Sequence, residues 1–261
     1  MFLTEDYIVE TLIEANNITK YFGKKLAVND VSISLNRGEV LGFLGANGAG
    51  KTTTMRMISG YLQPNSGMVK ISGIEMRKDP IIAKQNIGYL PEGAPLYPEM
   101  TPLQLLRFSG KLRKMSNNEL ANRIDYVIYN LNIEAVLAQP IETLSKGFKR
   151  RVGIALAILH DPKILILDEP TDGLDPLQKQ EVRGLIKKIS AEKAIIISTH
   201  ILEEVDAVCS KCAIIDGGKI IYEGTTKQLR AQYGKENMEA IFCQMVIANQ
   251  TKYATQSNHA G

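Results

Sequence analysis

The chain has 261 residues, of which 44% are hydrophobic and 23% charged, with a net charge of +3. Such a length suits one large α/β domain with room for a small inserted subdomain, and the near-neutral charge gives no reason to expect nucleic acid. No apolar run approaches the ~18 residues that span a bilayer, and the N-terminus, with Glu5 and Asp6, lacks the basic start and apolar core of a signal peptide, so a cytosolic protein is expected.

In chain order, Met1 to Glu10 are expected to be a poorly determined start, followed by a strand from Leu12 to Asn16. Residues Ile18 to Lys25 read as a polar turn holding two aromatics, Tyr21 and Phe22. Val31-Ser32-Ile33-Ser34-Leu35 alternates with period two, as in an antiparallel sheet with one covered face. After a turn at Asn36-Arg37-Gly38, Glu39 to Leu44 forms an apolar strand. A helix then runs to about Gly60. Pro64-Asn65-Ser66-Gly67 is a turn into a strand, Met68 to Ile71, and Asn86 to Leu90 is a short buried strand ending at Pro91-Glu92.

From Met100 the pattern turns helical. Thr101-Pro102 is an N-cap with proline at the first helical position, with Leu103, Leu106 and Phe108 expected on the apolar side. Ser116-Asn117-Asn118-Glu119 matches a capping box, and Leu120, Ile124, Val127, Ile128 and Leu131 follow at helical spacing. Leu144 to Phe148 opens a helix that Asp161-Pro162 stops. Ile164 to Leu167 is a fully apolar strand ending in Asp168-Glu169. A helix from Asp175-Pro176, a buried strand from Ala194 to Ser198, a helix from Ile201 to Val208 and a glycine hairpin between Ala213 and Ile221 come next. Met238 to Val246 is a last amphipathic helix, and Asn249 onward is expected to be loose. The three cysteines, Cys209, Cys212 and Cys243, offer no zinc set and are expected to be reduced packing residues.

Alternating buried strands and helices indicate a mostly parallel sheet covered on both faces, whose ligand end is the carboxyl end of its strands. At one such end stands Gly45-Ala46-Asn47-Gly48-Ala49-Gly50-Lys51-Thr52-Thr53, which reads G-x-x-x-x-G-K-T, the P-loop pattern. A strand feeding a glycine turn into a helix N-terminus aims unpaired amides and a favourable dipole at polyphosphate. Lys51 would reach the β- and γ-phosphates, and Thr52 would offer its hydroxyl to magnesium. Asp168 would hold magnesium through water, and Glu169 would activate the attacking water. Leu144-Ser145-Lys146-Gly147 is a second helix start able to face an anion.

These residues together resemble the ATP-binding cassette (ABC) family. Leu144, Ser145 and Gly147 match its L-S-G-G-Q signature, with Lys146 replacing a glycine and Phe148 the glutamine. Phe22 stands where the adenine-stacking aromatic stands, Ile164 to Thr171 resembles Walker B with its catalytic glutamate, Gly173-Leu174-Asp175 resembles the D-loop, and His200 resembles the switch histidine. The resemblance covers roughly Ile13 to Val246. Its finer pattern is similar to the ATP-binding subunits of type-2 bacterial transporters, the gliding-motility subunit among them.

The resemblance implies a P-loop NTPase core with an N-terminal antiparallel β part and an inserted helical subdomain at about 95–157. The single ABC domain is expected over 1–234, with a helix and polar tail over 235–261. It implies ATP and Mg2+ as cofactors, Thr52, Glu92 and Asp168 as metal-side residues, and Glu169, His200 and Lys51 as catalytic. The remaining nucleotide contacts would come from Phe22, residues Gly45 to Thr53, Glu92, Ser145, Lys146, Gly147 and Asp175. Glu92 stands where the family often has glutamine and adds a negative charge near the phosphates. Two copies are expected to close head-to-tail around ATP against a separate integral-membrane permease, with the protein peripheral on the inner face of the cell membrane. A soluble ABC ATPase of translation or DNA repair is the alternative, and a small-molecule P-loop kinase leaves Leu144 to Gly147 and His200 without a role.

Overall fold

The structure is a computed structural model that describes residues 10–234 and 238–257. The start expected over Met1 to Val9, and the end of the tail beyond Ser257, lie outside the described residues. Two sheets organise the chain. The first carries β1 (Thr11–Phe22), β2 (Lys25–Asn36), β4 (Ser66–Ile71) and β5 (Ile74–Glu75) in the antiparallel order β2-β1-β4-β5. The second carries β3 (Val40–Leu44), β6 (Ile87–Leu90), β7 (Ile164–Asp168), β8 (Ala194–Thr199), β9 (Lys211–Asp216) and β10 (Lys219–Thr225) in the order β10-β9-β3-β8-β7-β6. Only its β9–β10 pairing is antiparallel. This is the mixed α/β architecture expected, with an N-terminal antiparallel part.

The period-two geometry of strands decides which core each side chain enters. In β7, Ile164 and Ile166 face the antiparallel sheet and helix α1 (Lys51–Ile58), while Leu165 and Leu167 face the helices on the other side. β8 repeats this with Ala194 and Ile196 on one face and Ile195 and Ile197 on the other. Both faces are therefore dry, which explains the uninterrupted apolar runs. The helical side is built from α3 (Pro102–Leu112), α4 (Asn117–Leu131), α5 (Lys146–Ile158) and α6 (Pro176–Ser190). A third cluster joins α7 (Leu202–Val208) through Val205 to Leu44, Ile214, Leu229, Ile241 and Met245.

Several local expectations change. Residues 18–22 are not a turn: β1 continues to Phe22, because Ile18 is fully buried and Lys20, Tyr21 and Phe22 pair with β2, leaving only Gly23-Lys24 to reverse the chain. On α3 the inward residues are Leu105 and Leu106, while Phe108 is 41% exposed and meets Tyr97 edge-on at 6.1 Å. The reciprocal capping box forms at Thr101 and Gln104, whereas Ser116 caps α4 by accepting from the Glu119 amide at 3.3 Å. α2 (Pro80–Gln85) and α8 (Thr226–Tyr233) were not foreseen, being too short for a clear period. α9 (Met238–Ser257) runs on through Asn249. No glycine or proline interrupts 238–257, and the Asn249 amide donates to Asp216 Oδ2 at 2.8 Å. Cys212 is buried and Cys209 half-buried; burial raises both thiols, Cys212 to about 11, which fits packing rather than reactivity. Among the described residues no helix is long and apolar enough to cross a membrane.

Candidate functional site

Sheet order brings distant segments to one edge. β3, β8 and β7 are parallel neighbours, with Leu44 beside Thr199 and Ser198 beside Asp168. β6 lies next to β7, with Leu90 beside Leu167. The chain therefore leaves the sheet at Gly45, Glu169, His200 and Pro91-Glu92 along a single rim. A cleft of about 560 Å³ opens there.

Of the residues expected around a nucleotide, Phe22, Ala46, Asn47, Gly48, Gly50, Lys51, Thr52, Thr53 and Glu92 line this cleft, together with Asp168 and Glu169. Gly45 and Ala49 turn inward and are buried, shaping the loop from behind. Gly50 caps α1 with φ 112 and no side chain, a conformation strained for other residues. A Cβ there would also meet the Ala27 carbonyl at 2.8 Å. With no side-chain cap, the first-turn amides are available to a ligand anion.

Lys51 is 7% exposed, and its ammonium donates to the Gly45 carbonyl at 2.6 Å and the Ala46 carbonyl at 3.3 Å. Burial pulls its pKa down, while the charges of Glu169, Asp168 and Glu92 act the other way. Asp168 is 1% exposed; its Oδ1 accepts from the Ser198 hydroxyl, and its buried Oδ2 has no hydrogen-bond partner among the described residues. An unsatisfied buried carboxylate oxygen in a cleft that a P-loop threonine also lines fits a hydrated divalent cation. No group of three or more His, Cys, Asp or Glu among the described residues could hold a metal unaided. A cation here would thus depend on Thr52, one or two carboxylates and phosphate oxygens.

Glu169 holds its backbone at φ 52, in the left-handed region, while its amide donates to the Ser198 carbonyl at 3.1 Å. Its carboxyl meets His200 Nδ1 at 3.0 Å. Burial pushes the Glu169 carboxyl above its ordinary value, and the His200 contact pulls against this. A raised carboxyl hydrogen-bonded to an imidazole can take a proton from a water molecule.

His200, Ser145, Lys146, Gly147 and Asp175 do not line the cleft. Ser145 caps α5, accepting from the Phe148 amide at 3.3 Å, and Asp175 caps α6 in a capping box with Gln178. The two helix starts adjoin: a Cβ on Gly147 would lie 2.7 Å from Gln178 Oε1, and one on Gly173 would lie 3.2 Å from the Lys146 Cβ. Ser145, Lys146 and Asp175 are exposed.

Other site residues were not foreseen. Lys25, Leu26, Ala27, Gly217 and Gly218 also line the cleft. Gly218 donates to the Ala49 carbonyl at 2.9 Å and accepts from the Asn29 amide at 2.8 Å, so the β9–β10 turn braces the P-loop. In sequence it read only as a hairpin turn. Arg150, 4% exposed, places Nη1 3.4 Å from the Pro91 and Asp168 carbonyls and Nη2 3.9 Å from Asp172. Burial lowers its pKa, and the charges of Asp172, Asp168, Glu169 and Glu92 oppose that. It supplies a buried cation behind the acids of the site.

A P-loop at the carboxyl rim of a parallel sheet, with paired acids and a histidine on adjacent strands, defines a nucleotide-binding P-loop NTPase. The family model for ABC transporters matches residues 28–172. The linearmycin resistance ATP-binding protein of Bacillus subtilis (strain 168) is 37% identical over 228 residues, 87% of this chain and 73% of that protein. A solved ATP-binding subunit of an ABC transporter superposes with a TM-score of 0.84 at 29% identity, covering 90% of this chain and 99% of that one. A dimeric bacterial ABC transporter cassette superposes with a TM-score of 0.76 at 25% identity, covering 82% and 98%. The chain belongs to the ABC transporter family, as an ATP-binding subunit with an ABC ATPase domain.

Proposed function

We propose that this subunit powers a separate integral-membrane permease by closing with a second cassette around ATP, and that Glu169 is the base of hydrolysis. The observation that carries the reading is the meeting of Glu169 and His200 at 3.0 Å on the rim that also bears Lys51 and Asp168. In this reading the adenine stacks on Phe22, Lys51 and the loop amides hold the β- and γ-phosphates, and Glu169 orients and deprotonates the attacking water. His200 holds the Glu169 carboxyl and contacts the γ-phosphate. Thr52 and Asp168, with Glu92 at the cleft wall, would hold Mg2+, which supplies charge neutralisation at the phosphates.

The exposed helix starts at Ser145-Lys146 and Asp175, with Gly147 buried beside them, support a half-site that faces the nucleotide of the second copy. That a similar solved cassette is dimeric supports pairing with a second copy. The helical segment at about 95–157 and the Glu92 loop are the faces proposed to meet the permease, which would hold the subunit on the inner face of the membrane. The stretch between Lys51 and Ser145 carries strands β4, β5 and β6 and helices no longer than 15 residues, which favours transport over a repair ATPase with a long coiled coil.

Replacing Glu169 by Gln tests the central role. The variant is expected to bind ATP as the wild type does, to lose turnover by about 100-fold or more, and to run as a dimer with ATP in size-exclusion chromatography. Normal turnover in that variant would remove Glu169 from the mechanism.

A further inference from the structure

The two segments that carry Glu169 and His200 are joined behind the cleft by a side chain that does not line it. Glu204, on α7, is 4% exposed. Its Oε1 accepts from the Thr171 hydroxyl and its Oε2 from the Thr199 hydroxyl at 2.9 Å. Both threonines are buried, at 3% and 0% exposure. Arg183 Nη2, from α6, lies 3.6 Å from Glu204 Oε1. Two hydroxyls and one cation, from three separate segments, thus converge on one carboxyl.

A buried ionic group of this kind contributes little net stability over a well-packed apolar one. Its effect here is geometric. Thr171 stands two residues past Glu169, whose left-handed backbone needs support from its surroundings. Thr199 directly precedes His200, and its hydroxyl also accepts from the Ile201 amide at 3.0 Å, which fixes where the chain turns out of β8. Holding both hydroxyls on one carboxyl sets the spacing of the loop after β7 and the loop after β8. Glu169 and His200 meet across that spacing. Arg183 ties the same carboxyl to α6, the helix that Asp175 caps.

We propose that Glu204 is a positioning residue for ATP hydrolysis, clamping Thr171 to Thr199 so that the Glu169 carboxyl and the His200 imidazole face the reacting water together. It acts through Glu169 and His200 and touches no substrate. The proposal rests on the reading of Glu169 as the base. It separates turnover from binding, because the P-loop that holds the phosphates does not depend on this clamp.

The test compares ATP turnover, KM and directly titrated ATP affinity in Glu204→Ala, Glu204→Gln and Thr171→Val, with turnover expressed per nucleotide-binding site. Glu204→Ala is expected to lower kcat about 10- to 100-fold with ATP affinity within about twofold of wild type, the signature of misplaced reacting groups. Glu204→Gln should recover most of the rate, since an amide can serve two rotatable hydroxyls, one through its oxygen and one through its NH2. An unchanged kcat per site in Glu204→Ala, or no recovery by glutamine, would overturn the proposal. If the alanine variant fails to fold, Thr171→Val decides: a fall of about fivefold or more in kcat at unchanged affinity supports the clamp, and wild-type kcat refutes it. Glu169→Gln, assayed alongside, isolates the underlying reading. Wild-type turnover there would sink the base assignment whatever the Glu204 variants do.

Discussion

Lys51→Met removes the ammonium from the P-loop while keeping a long apolar stem in a site that is 7% exposed. The wild-type lysine donates to the Gly45 and Ala46 carbonyls at 2.6 and 3.3 Å. A bound phosphate must compete with those contacts. An ammonium–phosphate contact joins two charges and lies at the upper end of the ~1.5–3 kcal/mol of charged hydrogen bonds, whereas the ammonium–carbonyl contacts given up, charged on one side only, lie at its lower end. The net gain from Lys51 is then about 1–2 kcal/mol, which corresponds to roughly 5- to 30-fold in affinity. Methionine also leaves Glu169, Asp168 and Glu92 without the nearby cation, which adds to the loss by repelling the triphosphate. Isothermal titration with ATP reads the change, and thermal unfolding without nucleotide checks that the variant is folded. A folded Lys51→Met variant with wild-type affinity would refute a phosphate role for this side chain.

Two further outcomes follow from the same geometry. Burial raises the Glu169 carboxyl, so it stays protonated to higher pH than a free glutamate, and a protonated base is inactive. The acid limb of kcat should therefore lie above the ordinary value of a free glutamate. His200 pulls that carboxyl down, so His200→Ala should move the limb upward as well as lowering the plateau; a limb that stays put or falls would contradict the coupling. Ser145→Ala should leave ATP binding by the single cassette unchanged and abolish the ATP-dependent dimer in the Glu169→Gln background. Losing the α5 cap costs about 0.5–2 kcal/mol of stability besides, so the fold must be checked by unfolding. A dimer that persists would place the nucleotide interface elsewhere.

The main motifs of the candidate site are local in sequence, and so they were legible there. A P-loop needs its glycines, lysine and threonine at fixed spacing within one short stretch, because the amides of one loop and helical turn do the binding. Asp168-Glu169 ends an apolar strand, and a pair of acids in that place is costly without partners. The alternating burial of β2 and the continuous burial of β7 and β8 likewise follow from which faces are covered. Errors arose where periodicity is short or shared. The polar-looking end of β1 is held by its pairing with β2, and the inward face of α3 is shifted from the one containing Phe108.

Tertiary structure alone decided the rest. The order β3-β8-β7-β6 puts Gly45, His200, Glu169 and Glu92 on one rim, although Gly45 and His200 stand more than half the chain apart. The turn at Gly217-Gly218 braces the P-loop only because β9 lies beside β3. Arg150 reaches two strand ends from α5, and Glu204 gathers two threonines and an arginine from three other elements. No spacing rule links such residues. Their partners are set by which strands are neighbours and by the need of each buried polar group for a counterpart, and both are properties of the packed sheet.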